Sequence, residues 1–224
     1  NNQIQAFPFK NWINEFPLAN QLGISCMEWT LDYPKLHQNP LLLAKYKGKI
    51  LDLSERYNVK ISSITLDCCM QRPFWKAQNE LDLKNLLDDF KLIIQGTYNI
   101  GAHILVIPLV DNGSISSEKE FKVLKSSLSF LSDILLEKKI KIAFESDYSP
   151  SKLNNFITHF DHKLFGINYD SGNSASLGFD PDEEFSQYGE RILNVHIKDR
   201  TLNGSTVRLG LGDTNFSKVF KNIN

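Results

Sequence analysis

Cysteine and surplus positive charge are both scarce in this chain, and each scarcity removes a class of function. Only 3 cysteines occur in 224 residues. Cys68 and Cys69 are adjacent and Cys26 is remote. An odd count with a vicinal pair makes a poor disulfide framework and fits a reducing, cytoplasmic setting. The pair has no CxxC partner and no nearby histidine, so it reads as packing at a strand end rather than as a metal site. Lysine plus arginine total 25 against 26 acids, a formal net charge of -1. Without a basic excess to attract a phosphate backbone, a nucleic-acid partner is not expected. No run approaches the ~18 apolar residues of a membrane span, so no membrane partner is expected either. The opening "NNQIQAFPFKNW" lacks the basic-then-apolar order of a signal peptide. No GxGxxG loop and no phosphate-binding GxxxxGK follows any apolar run, which leaves nucleotide binding without support.

What is there is alternation. The chain is 42% hydrophobic and 23% charged, which suits one sizeable domain. Helical spacing over 12–22 ends at Gly23, and "ISCMEWT" (24–30) reads as a strand. Asn39-Pro40 opens a predicted helix over 41–57, followed by strand 59–67. A long amphipathic helix over 79–100 leads to the apolar strand 102–110. Ser117 with Glu120 makes a capping box ahead of a helix to about residue 138. Strand 139–145, a helix near 150–160 and strand 164–170 follow. Asp180-Pro181 with three acids behind it opens a helix that stops near Gly189, strand 191–199 comes next, and "TNFSKVFKNIN" begins another helix.

Six βα repeats imply a parallel sheet with helices outside it. The strand faces favour a closed barrel over a doubly wound sheet. Ile140, Ile142 and Phe144 lie opposite Lys141, Ala143 and Glu145; Phe165, Ile167 and Tyr169 lie opposite Gly166, Asn168 and Asp170; Leu193, Val195 and Ile197 lie opposite Asn194, His196 and Lys198. One face packs on helices, and the small or polar face points into a narrow, partly wet interior. The expected architecture is therefore a TIM (β/α)8-type barrel. Residues 1–224 form a single but partial domain showing strands two to seven, unless the extended "QIQAFPF" (3–9) serves as an irregular first strand.

Three strand ends carry metal-ligand chemistry. Glu145, Asp170 and His196 each close a strand, one βα unit apart, and all fall on the inward face. Consecutive barrel strands would bring them to one depth at the mouth, and two oxygens with one nitrogen suit Mn, Co, Zn or Mg. Each residue alone has a plainer reading: Asp170 as a helix cap or turn former, His196 as a satisfied core histidine. Glu145 is harder to dismiss, because an unpaired inward glutamate is costly to bury. Four further residues are candidates for substrate binding. Glu28 either faces the same mouth or caps a turn. Lys198 shares the inward face with His196. Arg200 either holds a substrate oxygen or makes a structural ion pair, with Asp199 for example. Asn173 has a donor to offer, while Ser171 and Gly172 shape the turn. Gly210 to Asp213 reads as a flexible turn. His103 begins its strand, His159 and His162 precede theirs, and all three are expected to be non-catalytic.

The run from Ile167 to Phe216 resembles the sugar phosphate isomerase/epimerase family, the xylose isomerase-like barrels. The family's D-x-G-N, H-x-K-D and G-x-G-x-x-x-F patterns stand as Asp170–Asn173, His196–Asp199 and Gly210–Phe216, and "IAFES" resembles the strand that carries its first metal-binding Glu. The resemblance implies a divalent metal held by Glu145, Asp170, His196 and a further Glu on an eighth strand beyond Asn224. It also implies that this Glu and Glu145 form the acid/base pair. Asn173 stands where some relatives carry His. The implied activity is isomerisation or epimerisation of a ketose or ketose phosphate, with Glu145 moving a proton and the metal stabilising an enediolate. The implied partner is a small sugar or sugar phosphate, and a homo-oligomer is admitted. Two rivals are an inactive or truncated metal-binding fragment and an abasic-site endonuclease, which would need three zincs, more than 5 histidines and a basic face.

Overall fold

Each alternating apolar run forms a strand, and helices follow in the order a parallel α/β protein requires. The structure is a computed structural model that describes residues 6–223. It divides into two compact units, Asn1–Lys141 and Ile142–Asn224.

In the first unit, α1 (Trp12–Gln21) precedes β1 (Cys26–Thr30), and α2 (Lys47–Tyr57) precedes β2 (Lys60–Thr65). A five-residue helix α3 (Asp67–Gln71) and the long α4 (Glu80–Asn99) lead to β3 (Ile104–Leu109), followed by α5 (Glu118–Phe130) and α6 (Ser132–Lys138). β2 pairs in parallel with both β1 and β3. The core is apolar and aromatic: Phe16, Leu31, Ile64, Phe74, Phe90 and Leu105 are almost completely buried.

Several details depart from the sequence reading. The helix expected over 41–57 begins only at Lys47, and residues 40–46 form short 3₁₀ turns instead. The cause is Asn39, which is buried. Its Oδ1 accepts from Trp29 Nε1 at 2.9 Å and from Leu41 N at 3.0 Å, and its Nδ2 donates to Thr30 O at 3.3 Å, so it ties this segment to β1. The helix expected to run to about 138 breaks at Leu131, where Ser132 Oγ donates back to Leu128 O at 3.0 Å. Ser117 caps α5, but the Glu120 carboxylate reaches Ser116 N at 2.8 Å instead of closing the box on Ser117. Cys68 and Cys69 lie buried in α3, not at a strand end. Of the extended stretch 3–9, residues 3–5 lie outside the described residues, and 6–9 are not strand.

In the second unit, β4 (Lys141–Ser146, its first residue closing the first unit), α7 (Pro150–Thr158), β5 (Phe165–Asp170), α8 (Ser171–Leu177), α9 (Pro181–Tyr188) and β6 (Ile192–His196) follow one another. β5 pairs in parallel with β4 and β6. The outward face packs as the alternation requires: the Phe144 ring lies 5.3 Å from Phe156 and 5.0 Å from Phe160, on and just beyond α7. The strand expected over 191–199 stops at His196. A short antiparallel pair, β7 (Asp199–Arg200) with β8 (Thr206–Val207), takes its place before α10 (Phe216–Ile223).

Gly210–Asp213 is tied down, contrary to the flexible turn expected. The buried Asp199 accepts from Gly210 N at 2.8 Å, Gly212 N at 2.9 Å and Thr214 N at 3.1 Å. A side chain at Gly212 would collide with that carboxylate, which is why glycine stands there.

At α9 the Asp180-Pro181 start forms as read, with Asp180 accepting from Asp182 N at 2.8 Å. Glu184, one of its first-turn acids, is 3% exposed. It accepts from Tyr188 Oη at 2.8 Å, Tyr169 Oη at 3.2 Å and Ser174 Oγ. Burial pushes its carboxyl above the ordinary value, and the three hydroxyls offset only part of that rise. An acid whose folded value is raised contributes most below its ordinary value of about 4.3 and loses that contribution as pH rises through the folded value. Glu184→Gln, which cannot ionise, is therefore expected to depress the melting temperature most in acid and progressively less toward neutral pH. Thermal melts followed by circular dichroism check this, and a gap that widens with pH contradicts it.

Candidate metal centre

The second unit's strand register assembles a polar cluster. A bulge between Ile167 and Asn168 sets β6 so that Asn168 stands opposite Asn194 and Asp170 opposite His196. The β4 register pairs Ala143 with Gly166 and Phe144 with Ile167. Continued by one residue, it brings Glu145 level with Asn168, one inward position before Asp170. The three residues are thus not at one depth, as the sequence suggested, and the longer glutamate side chain makes up the difference. Glu145 Oε2 lies 3.2 Å from His196 Nδ1, and Asp170 Oδ2 lies 3.8 Å from the same nitrogen. Ligand atoms of all three fall within 4.8 Å of one another.

Asp170 does two jobs. Its Oδ1 accepts from Gly172 N and Asn173 N, both at 2.9 Å, and so caps α8. "SGN" is therefore the first turn of a helix, not the simple turn that its residue types suggest. Gly172 permits a close approach there: a Cβ would stand 2.8 Å from Lys198 Cβ. Oδ2 points the other way, into the cluster. It is buried, makes no hydrogen bond, and lies 2.8 Å from Lys198 Nζ. Burial alone would raise the Asp170 carboxyl. The His196 ring and the Lys198 charge beside it outweigh burial and hold it below its usual range.

Glu145 is held at both oxygens. Oε2 accepts from Asn168 Nδ2 at 2.7 Å, and Oε1 accepts from Asn173 Nδ2 at 2.9 Å. Both amides are themselves oriented. Asn194 Nδ2 donates to Asn168 Oδ1 at 2.8 Å, and Arg200 Nη1 donates to Asn173 Oδ1 at 2.8 Å. Arg200 also donates from Nη2 to Gly204 O at 2.8 Å, so it pairs with an amide and a backbone carbonyl rather than with Asp199.

The structure thus brings together Glu145, Asp170, His196, Asn173, Lys198 and Arg200. Glu28 lies on β1 in the first unit and accepts from Thr65 Oγ1. His103 stands just before β3, His159 ends α7, and His162 is exposed beside Asp161; none belongs to the cluster. Asn168 and Asn194 join the cluster without standing among the candidates that the sequence pattern singles out. Their signal was present in the sequence: both occupy inward positions of β5 and β6, and Asn168 is 2% exposed, where an amide needs partners.

The donor set fits a divalent cation. Two carboxylate oxygens and an imidazole nitrogen converge, one of the oxygens is a buried acceptor without a hydrogen bond, and two asparagines orient the other carboxylate as outer-shell partners do.

Known proteins resemble most of the chain. The profile of a family described as "Xylose isomerase-like TIM barrel" matches residues 16–224. Inosose dehydratase from Geobacillus thermodenitrificans (strain NG80-2) is 24% identical over 120 residues, 46% of this chain and 40% of that protein. The match thus spans under half of that curated relative. D-allulose 3-epimerase from Methylomonas sp., solved with D-allulose, superposes with a TM-score of 0.76 at 15% identity, covering 97% of this chain and 75% of that one. A xylose isomerase-like TIM barrel protein from Mycobacterium smegmatis, solved with magnesium, gives 0.71 at 16% identity, covering 96% and 78%. At these identities the solved structures show a shared fold.

Isothermal titration with Mn²⁺ tests the cluster. Glu145→Ala and His196→Ala are each expected to abolish measurable binding, and Asn168→Leu to weaken it by about 10–100-fold, as loss of an outer-shell partner does. Unchanged affinity in the first two variants would remove the site.

Proposed function

The chain belongs to the xylose isomerase-like TIM-barrel family, and from that premise we propose that it is a divalent-metal-dependent isomerase or epimerase of a ketose or ketose phosphate. The observation that carries the reading is the convergence of Glu145, Asp170 and His196 on one point. Its support among similar proteins is an epimerase solved with its ketose and a barrel solved with magnesium.

In this reading Glu145, Asp170 and His196 hold the cation, which supplies Lewis acidity toward a carbonyl oxygen. Glu145 accepts the proton from the carbon beside that carbonyl. Its Oε2 is fixed by Asn168, and Oε1, fixed by Asn173, is the oxygen that takes the proton. Arg200, anchored on Gly204 O, aligns the Asn173 amide, and in this reading both side chains bind substrate oxygens. Glu28 completes the set of substrate-binding candidates.

The inosose dehydratase match motivates a second reading. Loss of water from a β-hydroxy ketone begins with the same proton abstraction, so dehydration of a polyhydroxy ketone would use the same Glu145. The two readings diverge only afterwards.

Incubation of Mn²⁺-loaded protein with a panel of ketoses in D₂O tests both. Deuterium is expected beside the carbonyl of the turned-over sugar, and Glu145→Gln is expected to slow its uptake by about 10²–10⁴-fold, the usual contribution of a general base. Product mass separates the readings: an isomer or epimer keeps its water, and a dehydration product lacks one. No uptake from any ketose, phosphorylated or not, would contradict both.

A further inference from the structure

We propose that Lys198 sets the affinity of this site for a divalent cation, because its ammonium occupies the Asp170 oxygen that a cation must take. The inference rests on the metal-dependent reading and adds a residue that tunes it.

Asp170 has one oxygen to give. Oδ1 is committed to the first turn of α8 by two backbone N–H groups at 2.9 Å. Only Oδ2 faces Glu145 Oε2 and His196 Nδ1, and Lys198 Nζ stands 2.8 Å from it. A cation bound by Asp170 and His196 therefore meets the ammonium at the same oxygen.

The Lys198 backbone cannot retreat. Its N–H donates to Ser171 Oγ at 2.9 Å, and its carbonyl accepts from Ser171 Oγ at 2.7 Å and Thr214 Oγ1 at 3.1 Å. Gly172 lies against its Cβ. The side chain can move. It is 38% exposed while that of Asp170 is 1% exposed, so the four-carbon stem has a route to solvent that the carboxylate lacks.

Charge balance gives the direction. Two carboxylates and a dication sum to neutrality. Adding the Lys198 ammonium leaves a surplus positive charge in a partly buried cluster, where repulsion is screened less than in water. Cation binding must therefore swing the ammonium outward or tolerate that repulsion, and either lowers affinity. Without the cation, Lys198 is the counter-charge that makes a buried Asp170 carboxylate tolerable.

The test is Mn²⁺ titration calorimetry on the parent, Lys198→Met and Lys198→Arg, each first checked for folding by circular dichroism. Methionine keeps the stem and removes the charge, and arginine keeps the charge. Lys198→Met is expected to bind Mn²⁺ at least tenfold more tightly than the parent, and Lys198→Arg no more tightly. Should the methionine variant fail to fold, Lys198→Gln, which retains a donor to Asp170 without the charge, carries the same expectation. Equal or weaker binding by the neutral variant overturns the role of Lys198 while the metal site stands. Tighter binding by both variants overturns it too, since charge would not be the cause. Absence of binding in the parent and in the neutral variant overturns the metal-dependent reading itself.

Discussion

Two carboxylates and one imidazole share a small, mostly buried volume, and the second unit is arranged around the cost of placing them there. An unpaired buried carboxylate is expensive, and Glu145 and Asp170 also repel each other. The structure answers with donors at three of their four oxygens and with Lys198 near the fourth. Those donors need supports of their own. Asn194 steadies Asn168, Arg200 steadies Asn173, and the buried Asp199 gathers the backbone of 210–214 so that the 198–214 segment keeps one shape. The cluster's chemistry and its supporting shell are thus consequences of one electrostatic demand.

The strand register is what makes the demand arise. Inward positions of β5 and β6 fall opposite one another only after the bulge at Ile167, and the pairing of Asp170 with His196 follows from it. The outward positions of β4 and β5 carry Phe144 and Phe165, which pack against Phe156 and Phe160 on and just beyond α7. A one-residue slip would exchange the two faces, placing carboxylates among phenylalanine rings. Apolar packing on one side therefore enforces the polar convergence on the other.

That same periodicity is why much of the site could be read before the fold was known. Alternation marked Glu145, Asp170 and His196 as inward, and local capping chemistry marked the starts at Ser117 and Asp180. What escaped depends on contacts between residues distant in sequence. Asn39 holds its segment out of a helix through Trp29, and Asp199 rigidifies a glycine-rich turn through partners more than ten positions away. The β4–β5 register sets Glu145 one inward position before Asp170, and no one-strand pattern contains that information. Structural likeness at 15–16% identity has the complementary limit: it carries the barrel fold and not the choice of substrate.

The central claim is that Glu145, Asp170 and His196 bind one divalent cation. Anomalous diffraction at the zinc edge from crystals of the protein soaked with Zn²⁺ tests it most directly. The expected result is a single peak bridging these three side chains at about 2.0–2.2 Å from their ligand atoms, with Lys198 Nζ withdrawn from Asp170 Oδ2. A map without a peak there, with the three side chains still converged, would contradict it.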